Sequence, residues 1–169
     1  MDNPVVRTVT ATLQQAGYAT LRFNFRGVGN SSGAYDSGVG EADDAASAVR
    51  TLIERSGATL VTLAGYSFGA MVALLAGVRI SEVDRLIAVA PPLAFMDLGS
   101  LVDCRKEKLF IVGDRDAYCS VSQLRKELTR VADPKMHRII NDADHFFVGY
   151  ERALADALSS TIAPAHTHS

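Results

Sequence analysis

The stretch TLVTLAGYSFGAM, residues 59–71, sets a continuous apolar run directly before the pentapeptide Gly65-Tyr66-Ser67-Phe68-Gly69. An unbroken apolar run is expected of a strand buried on both faces of a parallel sheet. A helix should begin near Phe68 and run towards Arg79, with no spacer after the strand. Such a strand-to-helix elbow forces Ser67 into a strained backbone conformation, and flanking glycines keep side chains from clashing there. It also lifts the hydroxyl above the sheet edge and aims a helix amino terminus at it, where developing negative charge is favoured. The pentapeptide alone would occur by chance in roughly one chain in fifteen of this length. Its setting is therefore what separates a nucleophile from a helix-capping serine.

The rest of the chain alternates the same two periods. Asn3 is placed to cap a helix with Pro4 at its first position, carrying Val6, Val9, Leu13 and Ala16 on one face and closed by Gly17. YATLRFNF, residues 18–25, follows as a strand. Residues 41–56 read as a helix with the stripe Ala45, Ala48, Val49, Leu52 and Ile53, and with Glu41, Asp43 and Asp44 near its amino terminus. Strands RLIAVA (85–90), KLFIVG (108–113) and HRIIN (137–141) alternate with helices around Val121–Val131 and from about Tyr150 to Ile162. Strands and helices in turn predict an α/β fold, with a mostly parallel sheet and helices on both faces. One domain is expected over residues 1–163, with 164–169 as a flexible tail.

In open parallel sheets, chemistry gathers at the carboxyl ends of the strands. A serine hydroxyl there needs a base to take its proton. His166 and His168 lie in the tail and His137 at the entry of a strand, so His145, in NDADHFF, is the candidate base. An acid must hold the imidazole in the right tautomer. Asp116 and Asp114 both follow KLFIVG; Asp116 can swing back over the sheet past Gly113, whereas Asp114 suits a turn cap. Asp97 and Asp103 are reserves. The chain order Ser67, Asp116, His145 is the order used by α/β-hydrolases.

These residues resemble the small, lidless α/β-hydrolases related to the dienelactone hydrolase-like and serine aminopeptidase-like groups. The matching segments are MDNPVV, ATLRFNFRGVGNSSG, GYSFGA, APP, VGDRD and DADHFF. The resemblance implies a triad of Ser67, Asp116 and His145, with the Phe68 amide as one oxyanion donor. It also implies strands upstream of Met1, one of them lying between YATLRFNF and TLVTLAG, and a loop giving a second oxyanion amide. The expectation is therefore an N-terminally truncated form; otherwise the two strands close up directly or a second chain, as in a homodimer, supplies the edge. Loss of one oxyanion donor would cost about 2.7–4 kcal/mol.

Other features narrow the function. Gly27, Gly29 and Gly33 follow a strand, but their GxGxxxG spacing and the late helix do not make a dinucleotide site; a loop walling the pocket is the reading. APPLAFMDLGSLVDC leaves no room for a lid domain, so the pocket should be shallow, with Leu93, Phe95, Met96 and Phe146 as apolar walls. No metal-ligand spacing and no cofactor motif is present, and no cofactor is expected. A net charge of -2 without a basic patch argues against nucleic acid, and no apolar run approaches a membrane span. Cys104 and Cys119 make a poor disulfide framework, and reduced, buried thiols in a cytoplasmic protein are expected. The expected activity is hydrolysis of a small-molecule acyl substrate, an ester, thioester or amide. The rival reading is a weak or inactive hydrolase-like module or fragment used for binding or assembly.

Overall fold

A computed structural model describes residues 2–162. The expected tail at 164–169, with His166 and His168, lies outside the described residues. Helix α1 (Pro4–Gln15) starts where Asn3 accepts the amides of Val5 and Val6 at 2.9 and 3.2 Å. Its inward face is Val5, Val9, Thr12 and Leu13, which keeps the expected Val9 and Leu13 but leaves Val6 and Ala16 only half-buried. Helix α2 spans Val39–Ser56, strand β1 Thr62–Tyr66, helix α3 Phe68–Arg79 and strand β2 Arg85–Val89. Strand β3 spans Glu107–Gly113, helix α4 Val121–Leu128, strand β4 Lys135–Ile140 and helix α5 Glu151–Ser159.

The four strands pair in parallel in the order β1-β2-β3-β4. Side-chain alternation divides two cores. Leu86, Ala88, Phe110 and Val112 face α2, α3 and α4 on one side of the sheet. Ile87, Val89, Leu109 and Ile111 face α1 and α5 on the other. β2 and β3 are buried on both faces, which explains their nearly uninterrupted apolar sequences.

Two expectations fail at the β1 edge. Residues 18–25 are not a strand: no ladder joins them to another segment. They dock through side chains instead, with Phe23 and Phe25 against the α2–α3 core. The Arg26 amide and guanidinium then bind the Asp44 carboxylate on α2. The two segments therefore do not close up directly. β1 is consequently an edge strand, and only Leu63 along it is buried, so TLVTLAG is not covered on both faces. Its apolar run signals the sheet but not its place in it.

α2 begins two residues earlier than the sequence suggests. Gly38 caps it at φ 96°, and the Glu41 carboxylate turns back to accept the amides of Asp36 and Gly38 at 2.9 and 2.8 Å. Glu41 is buried. Burial opposes its ionised form, but the amides of Asp36 and Gly38 outweigh that and lower its pKa. The loop over residues 26–38 is thereby fixed beside the elbow. Among the described residues no helix is long and apolar enough to cross a membrane, and no cluster of three or more His, Cys, Asp or Glu could hold a metal.

Candidate active site

The carboxyl ends of β1, β3 and β4 each release one polar side chain towards a common point. Ser67 follows β1 at φ 52° and ψ -121°, a backbone region that costs a non-glycine residue of order 1–3 kcal/mol. Its amide donates to the Val89 carbonyl at 3.0 Å and its carbonyl accepts from Ala70 and Met71, so the turn is held from both sides. The two flanking glycines are not equivalent. A Cβ on Gly65 would stand 2.0 Å from the Gly69 carbonyl oxygen, whereas a Cβ on Gly69 would only touch the Phe25 ring at 3.9 Å. Gly65 is thus required by close backbone approach; Gly69 is not.

His145 Nε2 lies 2.9 Å from the Ser67 hydroxyl, and its Nδ1 lies 2.8 Å from Asp116 Oδ2. With Nδ1–H donating to the carboxylate, Nε2 is left as the acceptor for the serine proton. The other carboxylate oxygen of Asp116 accepts the amides of Tyr118 and Cys119 at 2.8 and 3.0 Å. Asp116 and His145 are buried, 4% and 6% exposed, so the chain of hydrogen bonds is shielded from water. The Phe68 amide opens α3 with no acceptor among the described residues, which leaves it free for an oxyanion.

The remaining candidates separate clearly. Asp114 caps, as its position suggests: its Oδ1 accepts the Asp142 amide at 2.7 Å and ties the β3 exit to the β4 exit. Asp97 accepts the Gly99 amide, and Asp103 lines a cleft of about 650 Å³ near the amino ends of β2 and β3, with Cys104 and Lys106. Neither reserve acid meets His145. Leu93 is buried in the core, and Met96 packs partly buried against it. Phe95 and Phe146 are 76% and 58% exposed and stand at the rim. Cys119 is wholly buried, and burial, with Asp116 adding to it, pushes its thiol up to about 12.

A model of the α/β hydrolase fold matches residues 5–118. The chain belongs to the α/β hydrolase family. It is similar over 99% of its length, at 33% identity, to an uncharacterized protein of Rickettsia prowazekii, of which it covers 76%. Among solved structures, an alpha-beta serine hydrolase homologue from Coxiella burnetii matches with a TM-score of 0.90 at 34% identity, covering 96% of this chain and 78% of that one. A lidless a/b serine hydrolase from Xanthomonas campestris matches with a TM-score of 0.83 at 31% identity, covering 99% and 77%.

Within this α/β hydrolase, sequence reasoning passed over two tyrosines. Tyr66 is the variable residue before the serine, yet its hydroxyl donates to the His145 carbonyl at 3.1 Å and its ring lies 5.5 Å from the imidazole. Burial, reinforced by Asp116 and Asp144, raises its pKa, so the phenol stays a donor. Tyr118 sets its ring edge-on to the imidazole at 4.8 Å. Both adjoin candidate residues along the chain, so their place near the site was readable; the bond from Tyr66 was not, because its partner lies 79 positions away.

Proposed function

We propose that the chain is a serine hydrolase that cleaves a small ester, thioester or amide through an acyl-enzyme. The observation that carries this reading is the 2.9 and 2.8 Å relay from Ser67 through His145 to Asp116, on a serine held at φ 52°. The serine hydrolase names of the Coxiella and Xanthomonas proteins support it.

Ser67 Oγ attacks the carbonyl carbon as its proton passes to His145 Nε2. The new oxyanion lies at the amino terminus of α3, where the Phe68 N–H and the helix dipole favour negative charge. Asp116 stabilises the imidazolium without taking its proton. As the tetrahedral adduct collapses, His145 returns that proton to the departing group. Water then enters by the same route and frees the acid.

Labelling with a small fluorophosphonate tests the reading. Ser67 is expected to be modified, and His145→Ala or Ser67→Ala to abolish the modification. A folded wild-type protein that never labels would defeat the proposal and favour the non-catalytic module. A p-nitrophenyl ester panel of increasing acyl length then ranks substrates.

A further inference from the structure

Three aromatic rings crowd the imidazole side of this site. Tyr118 is 4.8 Å and Phe146 is 5.5 Å from the His145 ring, both edge-on, and Phe95 is 6.1 Å from Tyr118. These separations fall in the range where aromatic rings attract. Yet Phe95 and Phe146 are mostly exposed, and Tyr118 is 41% exposed. Solvent-facing rings add little to folding, and a rimmed apolar patch marks a binding surface.

The backbone beneath them is pinned. The Ala94 amide donates to the Tyr118 carbonyl at 2.9 Å, the Phe95 amide to the Pro92 carbonyl at 2.9 Å, and the Gln123 side chain to the Leu93 carbonyl. The Asp144 carboxylate accepts the amides of Phe146 and Phe147 at 2.9 and 3.1 Å. The rings therefore stand on a preformed platform, which lowers the entropic cost of binding against them.

We infer that Phe95, Tyr118 and Phe146 form the subsite for the leaving group and select a flat, uncharged aryl alcohol or thiol. This rests on the serine hydrolase reading. The side assignment follows from proton transfer: the bond from carbonyl carbon to leaving oxygen or sulfur breaks as His145 Nε2 delivers the proton taken from Ser67, so the departing atom sits beside the imidazole. Whatever that atom carries lies against the rings around His145. The cation of the Tyr118 loop, Arg115, is already engaged by Asp142. It is not offered to an anionic leaving group.

The test compares matched esters in Phe95→Ala, Phe146→Ala and the double variant; both positions are surface-exposed, so folding should survive. The kcat/KM ratio of 2-naphthyl acetate to trifluoroethyl acetate is expected to fall about three- to tenfold per ring removed. The ratio of p-nitrophenyl hexanoate to acetate should stay constant, since the acyl chain lies elsewhere. An unchanged naphthyl-to-trifluoroethyl ratio, or a shift confined to the hexanoate-to-acetate ratio, overturns the assignment. Fluorophosphonate labelling of wild-type Ser67 is read separately: its absence refutes the serine hydrolase reading, whereas labelling with unchanged ratios refutes the subsite alone.

Discussion

Gly113 ends β3 with no side chain, and an added methyl there should disable the relay from a distance. A Cβ at Gly113 would lie 2.1 Å from the Ala143 carbonyl oxygen, 2.7 Å from its carbon and 3.0 Å from the Asp144 oxygen. All three are backbone atoms of the segment that carries His145. Reaching even a 3.0 Å contact requires the two strand exits to separate by about 0.9 Å. That movement is resisted by the Arg115 amide, bound to the same Ala143 oxygen at 3.0 Å, and by the Asp142 amide on Asp114. If it passes to the imidazole, the 2.8 Å bond to Asp116 lengthens beyond the ordinary hydrogen-bond range.

Gly113→Ala is therefore expected to lose about a hundredfold in ester turnover, the penalty of a misplacement near 1 Å. Overpacking should also destabilise the fold by about 1–3 kcal/mol. The two effects are separated by measuring turnover and fluorophosphonate labelling well below the melting temperature, with the folded fraction followed by circular dichroism. Gly69→Ala is the control: the same methyl two residues after Ser67 meets only Phe25 at 3.9 Å and should keep turnover within a few-fold. Wild-type turnover in folded Gly113→Ala, or an equal loss in both variants, would refute the reasoning.

Asp116→Asn should lower kcat by about 10⁴-fold, because an amide donating to Nδ1 selects the wrong tautomer; steady-state kinetics measures it. Glu41→Gln should lower the urea midpoint near neutral pH, since an amide presents one acceptor oxygen to the two N–H groups. Because the folded pKa of Glu41 is depressed, the carboxylate's contribution is lost as pH falls below its ordinary 4.5, so the difference between wild type and variant should shrink in acid. The Cys119 thiol is raised from 9.0 to about 12, so the unfolded chain releases this proton first as pH rises. Stability should then fall between about pH 9 and pH 12 by about 1.4 kcal/mol per unit beyond any decline in Cys119→Ala, as denaturant titration would show.

What the sequence makes legible here is whatever one residue's neighbours along the chain determine. The elbow at Ser67 is local: strand, turn and helix adjoin, so period and glycine spacing suffice. His145 stands out by elimination among strand exits, and Asp116 is preferred to Asp114 at one exit for its place past Gly113; both readings use a rule of parallel sheets that needs no pair distances. YATLRFNF misleads for the opposite reason. Apolar residues at every second position, Ala19, Leu21, Phe23 and Phe25, describe a surface that fits a sheet, but a strand exists only where a ladder partner lies alongside, and here Phe23 and Phe25 pack into the core beside α2 and α3 instead. Gly65 and Gly69 look alike in the pentapeptide, yet only one faces backbone. Leu93 likewise reads as a pocket wall from its place after a strand, while packing turns its side chain into the core.

Strand order explains why so much of the molecule serves one imidazole. Ser67 leaves β1 and His145 follows β4, three strand spacings away, or about 14 Å across a flat sheet. The loop after β4 must close that distance without slack. Each stage of its path is fixed to something different. The Asp142 amide binds Asp114, and the Ala143 carbonyl binds the Arg115 amide against Gly113. The His145 carbonyl takes the Tyr66 hydroxyl from the turn that carries Ser67, and Phe147 anchors in the core beneath α5. Asp142 and Phe147 accept positive φ values, 62° and 55°, along the way. A loop with this many ties and two strained residues is shaped by where the imidazole must end, which is why its residues look unremarkable one by one and only the fold reveals their common purpose.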